Sequence, residues 1–130
     1  MTTTVCNVRV EYIRKDGYHN LRDWTANPKN LYIGRKGIVF IDDERFPKQD
    51  SVWANPFKSD RDGTSKEVID KFFYHILSRI EKGEAVLSEL KGKNLGCWCV
   101  KCKTNDFQSF ECHGQVLIYL LSKYCFGLEN

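Results

Sequence analysis

The sequence predicts a small single-domain α/β fold in layers, a short β-sheet packed by about three helices, with the single domain spanning residues 1–130. Three observations predict it. Val68, Ile69, Phe72, Phe73, Ile76, Leu77 and Ile80 recur at three- and four-residue steps, which puts a wide apolar stripe on one helix face. Val116, Leu117, Leu120, Leu121 and Tyr124 form a second such stripe near the end of the chain. Short strand-length apolar runs precede and separate them, and strand, helix and strand in this order favour a layered α/β fold over an all-β one. A chain of 130 residues can bury one core of this kind.

The elements follow in order. From Thr4 to Ile13 apolar residues fall mainly on even positions, the period of a half-buried strand. Arg14 to Asn30 carries Asp-Gly, His-Asn and Asn-Pro and reads as turn and loop, with a short helical turn near Leu21 to Trp24. Leu31 to Arg35 reads as a second strand. Ile38 to Ile41 reads as a third, and the two are expected to pair as a hairpin across Arg35-Lys36-Gly37. Pro56 disfavours helix at Asn55. Thr64 and Glu67 have capping-box spacing and open the first long helix, with Gly83 as its stop. A short helix is expected over Glu84 to Leu90, a buried strand over Leu95 to Cys99, and a long connection over Val100 to Glu111 before the last helix. His75 falls opposite the apolar stripe of its helix and is expected in solvent, and His19 in a loop.

Composition excludes several classes. Eight Phe, six Tyr and three Trp, with a net charge of only +3, argue against disorder and give no compositional case for nucleic-acid binding. The group Lys91, Lys93, Lys101 and Lys103 reads better as a solvated face than as a nucleic-acid rim. No leader pattern opens the chain, and VLIYLL is too short to span a bilayer, so no membrane partner is expected. The expected location is the cytoplasm, or the nucleus or cytoplasm of a host cell if the protein is viral. Six Cys in such a chain are expected to be reduced or metal-bound rather than paired.

The most informative stretch runs from Cys97 to His113. On a strand, Cys97 and Cys99 share a face and Trp98 points into the opposite layer. Cys112 and His113 stand where the last helix begins. Three readings are open. Cys97, Cys99, Cys112 and His113 would make a four-coordinate Zn site, with Cys102 as a fifth candidate. The thiols are equally well plain buried residues. Cys112 at a helix start would be a nucleophile, although adjacent helical residues point about 100° apart, so His113 is not automatically its base.

These residues also carry a resemblance. Tyr32-Ile33-Gly34-Arg35, Trp53-Ala54-Asn55-Pro56-Phe57, Arg61-Asp62-Gly63-Thr64, Cys97-Trp98-Cys99 and Cys112-His113-Gly114 occur in order. Over roughly residues 31–121 the sequence resembles the family called domain of unknown function 4326, of bacteria, phages and large DNA viruses. The resemblance implies a fold-sized unit and a viral or phage-type protein, and no activity. Two departures stand out. The loop from Cys99 to Cys112 is longer than usual and contains Cys102, and Gln115 stands where relatives often have an acid. If that acid is catalytic in relatives, this chain lacks it.

The motif positions have a physical reading of their own. Gly34 and Arg35 after a strand offer close backbone and a forked guanidinium for phosphate. Arg61 and Asp62 lie before the long helix, whose first amides with Arg61 would form a second anion site. Trp53 would stack on a flat ring and the Asn55 amide would bond to one. The bland alternative makes Trp53 core, Asn55 a turn residue, and Arg61 with Asp62 a cap. The leading expectation is a protein that binds a nucleotide-like or phosphorylated ligand, or nucleic acid, beside a zinc-binding or Cys112-reactive site. The alternative is a non-catalytic zinc-stabilised module that docks a protein partner in viral assembly or host interaction. Whether it is an enzyme is left open.

Overall fold

A computed structural model describes residues 2–98 and 111–126. Strand β1 (Thr4–Asn7) is followed by helix α1 (Val10–Ile13), a 3-10 turn (Arg14–Asp16) and helix α2 (Leu21–Ala26). Strand β2 (Asn30–Tyr32) leads to β3 (Val39–Ile41) and β4 (Glu44–Phe46), then to α3 (Ser59–Asp62) and the long α4 (Ser65–Glu81). A 3-10 turn (Leu87–Leu90), strand β5 (Asn94–Cys97) and helix α5 (His113–Leu121) complete the domain, and α5 runs on into a π-helical turn (Ser122–Phe126).

The main sheet has the order β1-β5-β2, and both outer strands are parallel to β5. Its two faces separate by the period of two. Val5, Ile33, Leu95 and Cys97 face α4 and α5 in the larger core, around Phe72, Ile76, Val116 and Leu117. Cys6, Tyr32 and Trp98 face the smaller core of Val8, Ile13, Leu21 and Trp24, formed with α1 and α2. Two glycines set the spacing of these layers. A Cβ at Gly96 would lie 2.5 Å from Cη2 of Trp24, and one at Gly114 would lie 2.9 Å from the Val5 methyls. The mixed α/β class read from the sequence is the class of the structure. Among the described residues no helix is long and apolar enough to cross a membrane.

Several elements differ from their sequence expectation. The first strand ends at Asn7, because the Asn7 Oδ1 accepts from Arg9 N at 2.9 Å and turns the chain into α1. The helical turn near Leu21 is a full α2, capped by the Asn20 side chain, which accepts from Asp23 N. β2 does not pair with the Ile38 run. Its bonding edge is taken by β5, with Leu31 opposite Leu95, and Ile33 N donates to Gly96 O. β3 pairs instead with β4, around Asp42 and Asp43 at φ 52° and 64°. Two central residues in the left-handed region give the turn whose twist suits a two-residue hairpin. The helix expected over Glu84 to Leu90 is only the 3-10 turn.

The long helix has the expected capping box: Thr64 Oγ1 accepts from Glu67 N, and Thr64 N donates to Glu67 Oε1. It ends at Lys82, before Gly83 at φ 75°. His75 is not in open solvent. It is half-buried between Phe57 and Phe72, with ring centroids at 6.0 and 6.3 Å, because the loop before α3 folds back over that face of α4.

Candidate active site at the carboxyl ends of the strands

All three strands of the main sheet run the same way, so their carboxyl ends share one edge. α1 and α2 cover one face on the way from β1 to β2, and α4 covers the other on the way from β2 to β5. A reversal of face at the carboxyl ends of parallel strands leaves a crevice there, the usual ligand position in open α/β sheets. A cavity of about 540 Å³ lies at this edge, lined among others by Gly34, Arg35, Asn55, Trp98, Cys112 and His113.

The floor of this cavity is built by the start of α5. Cys112 is its N-cap, with extended backbone, and Gly114 N donates to Cys112 Sγ at 3.4 Å. Gln115 Oε1 accepts from Glu111 N at 2.5 Å and Cys112 N at 3.0 Å, so Cys112 and Gln115 close a capping box. The residue that departs from the acidic pattern therefore has a structural task that its amide performs. His113 Nε2 lies 2.7 Å from Ile33 O. A carbonyl only accepts, so in the neutral ring Nε2 carries the proton and Nδ1 presents its lone pair. Nδ1 lies 3.7 Å from Cys112 Sγ, and Cys112 Sγ lies 2.9 Å from Cys97 Sγ. The Phe72 ring meets His113 edge to face at 5.0 Å and fixes its plane. Neither thiol has open surface: Cys97 is 1% and Cys112 0% exposed, so the sulfur lies just behind the cavity wall.

Chain position alone would not have joined Cys112 to His113. The helix N-cap does it: Cys112 stands outside the helix, in extended backbone, so the 100° helical offset does not apply between them. Cys97 enters from β5, on the face opposite Trp98, as the period of two requires. Cys99 and Cys102 lie outside the described residues. Among the described residues, no group of three His, Cys, Asp or Glu side chains is arranged to hold a metal ion.

The remaining candidates take different roles. Arg35 lines the cavity, but its Nε donates to Asn55 O and its Nη2 to Phe57 O, both at 2.8 Å. Arg61 Nη2 donates to Pro56 O at 3.1 Å. Two guanidinium groups thus clip three successive carbonyls of the 55–57 loop, and neither offers phosphate its whole fork. Asn55 is equally occupied, with Oδ1 accepting from Phe57 N and Nδ2 donating to Val68 O. Gly34 has a steric reason, since a Cβ there would run into the Tyr32 ring. Trp53 is core: it is 1% exposed, packs in the cluster with Ile69 and Phe72, and does not line this cavity. Asp62 accepts from Lys58 N and pairs with Arg61 at 2.9 Å, which holds its carboxyl below the usual range. Of the N-terminal amides of α4, expected to form an anion site with Arg61, Glu67 N is taken by the Thr64 side chain.

Two neighbours of the site, Tyr32 and Lys58, are not among the residues expected there, although Tyr32 opens the first of the motifs. Tyr32 OH donates to Arg35 O at 2.8 Å and accepts from Trp98 Nε1 at 2.9 Å, which ties the ends of β2 and β5 together at the cavity rim. Burial raises the Tyr32 pKa, so the hydroxyl stays a donor. Lys58 also lines the cavity.

The comparisons agree with the resemblance carried by the motifs. The family model described as Domain of unknown function (DUF4326) matches residues 18–123, and the chain belongs to that family. The chain is 39% identical over 104 residues to an uncharacterised protein of Acanthamoeba polyphaga mimivirus, covering 78% of this chain and 75% of that one. No solved structure matches.

Proposed function

We propose that the protein binds a nucleotide-like or phosphorylated small molecule in the cavity at the strand ends, and that Cys112 is the reactive group there. His113 takes the thiol proton. The observation that carries this is the directed pair at the cavity floor: His113 Nδ1 faces Cys112 Sγ, while Ile33 O fixes the opposite nitrogen. Gly114 N, at the start of a nine-residue helix, points at the same sulfur and favours negative charge on it. Arg35 Nη1 and Lys58 are left on the wall for an anionic group.

The test is thiol labelling with iodoacetamide, followed by mass spectrometry, alongside a thermal-shift panel of nucleosides and nucleotides. Because Cys112 is buried, its labelling proceeds through local opening of the cavity floor; it should label, His113→Gln should slow that labelling by ten-fold or more, and a nucleotide that raises the melting temperature should protect it. Cys112 labelling that is indifferent to His113→Gln and to every nucleotide overturns the proposal.

One observation favours the second reading, a zinc-stabilised, non-catalytic interaction module. Cys112 Sγ lies beside Cys97 Sγ and beside His113 Nδ1, and the outer nitrogen bonds a backbone carbonyl, as in many zinc-bound histidines, although among the described residues these three are not arranged to hold a metal by themselves. The donor chemistry fits zinc. The spacing fits less well, because two thiolates at about 2.3 Å from one tetrahedral zinc lie about 3.8 Å apart, against 2.9 Å here. Elemental analysis of the purified protein separates the readings. One equivalent of zinc, lost together with the fold on chelation, establishes the module.

A further inference from the structure

Behind the 55–57 loop lies a second cavity, of about 580 Å³, which shares Arg35, Asn55 and Lys58 with the first. Its charge is unlike that of the first. Arg35, Lys36, Lys58, Arg61, Arg79 and Lys82 line it, against Asp50 and Glu84. Arg61 also pairs with Asp62. Six cations therefore meet three carboxylates, and three positive charges stay unmatched. The cavity thus carries a local excess of positive charge. The first cavity has Arg35 and Lys58 against Asp60 and Glu111 and carries no such excess.

The carboxylates in the second cavity are also partly committed. Asp50 Oδ1 accepts from Lys36 N at 2.8 Å, and Glu84 sits 3.6 Å from Arg79 Nε. Lys36, Lys58 and Lys82 are exposed, with no ion pair to a described residue. Ser51 and Ser78 add hydroxyl groups to the lining. Three lysines converging on a concave surface of this size, with arginine N–H groups behind them, suit a compact multiply charged anion.

We propose that this second cavity binds a chain of phosphate groups, and that it is the phosphate subsite of a nucleoside polyphosphate whose nucleoside enters the first cavity. The bipartite ligand rests on the function proposed above; the anion subsite itself does not. A concavity of about 580 Å³ is the size of a small-molecule site, which favours an oligophosphate over a nucleic-acid strand.

The experiment is calorimetric titration of the full chain at low salt with inorganic tripolyphosphate, a nucleoside, the matching nucleoside triphosphate, and a single-stranded oligonucleotide without terminal phosphate. Tripolyphosphate should bind, and Lys36→Gln and Lys82→Gln should each weaken it three- to ten-fold. Lys29→Gln, which removes a charge at the opposite edge of the sheet, should leave it within two-fold. Raising the salt to 0.5 M should weaken it at least ten-fold. The nucleoside triphosphate should bind at least ten-fold more tightly than tripolyphosphate.

Tripolyphosphate binding without that gain, and without nucleoside binding, overturns the bipartite ligand and the first-cavity reading but keeps the anion subsite. No tripolyphosphate binding, or binding indifferent to Lys36→Gln and Lys82→Gln, overturns the subsite whatever the first cavity does. An oligonucleotide that outcompetes the triphosphate at equal phosphate concentration overturns the small-molecule assignment in favour of nucleic acid.

Discussion

The two cavities flank one wall and one aromatic ring, yet they are built on different principles. His113, at the first, has both nitrogens directed, one at Ile33 O and one towards Cys112 Sγ, and it is buried. His75, at the second, is held by ring contacts to Phe57 and Phe72 and opens onto solvent beside Arg79 and Glu84. Phe72 touches both rings. On the proposed reading, the difference separates chemistry at the first from recognition at the second. A fixed tautomer beside a buried thiol suits proton transfer, whereas exposed lysines around a half-buried ring suit binding of charge.

The strongest way to break the comparison is to remove the shared ring. Phe72 is fully buried in the larger core. Phe72→Ala should cost about 3–5 kcal/mol in urea unfolding, as for other buried aromatics. It should also release both histidines, so that the His75 and His113 ring signals in NMR lose their distinct environments together. Distinct signals in a folded Phe72→Ala protein would show that the two regions are positioned independently.

A smaller effect sharpens the first region alone. Gln115→Ala leaves Glu111 N and Cys112 N without their acceptor and should cost about 1–3 kcal/mol. Gln115→Glu keeps a side-chain oxygen at that place and should retain most of the stability near neutral pH. Equal losses in the two variants would show that the acceptor is not what matters there.

The smallest effect sharpens the second region. Burial, and then the nearby Arg79 charge, lower the His75 pKa in the folded protein below its ordinary value of 6.5. The unfolded chain therefore binds the proton more readily. Stability from this group is complete above the unfolded pKa and is lost as pH falls through the folded value. The melting temperature should decline modestly from pH 7 towards pH 5, and His75→Gln should flatten that decline. A variant with the same pH profile as the parent would remove His75 from the account.

Local patterns carried the helical parts of this protein and mispaired one of its strands. The stripe from Val68 to Ile80, the Thr64–Glu67 box and the start of the last helix at His113 are all contained within a few residues of chain, and the structure has them where the pattern puts them. The hairpin across Lys36 failed for a different reason. Both of its strands exist, but β2 bonds to β5, far along the sequence, and no local pattern records that partner. The sequence offers Asn55 and Arg35 as ligand donors because amides and guanidinium groups bind ligands well. The same groups also clip loops, and only the distances to Phe57 and Val68 show which use prevails.

The sequence by itself determined the class of fold, the two amphipathic helices, the opposite facing of Cys97 and Trp98, and the family. Each depends on periods of two or 3.6 residues, on caps, or on motifs in order, which are written along the chain. The tertiary structure decided that Trp53 is core, that Gln115 caps the Cys112 backbone, that His113 Nδ1 faces the Cys112 sulfur, and that six cations from the 35–61 segment and α4 with its cap share one cavity. Those facts depend on which distant segments pack together, and packing is fixed by the fit of whole faces rather than by any one residue's neighbours in sequence.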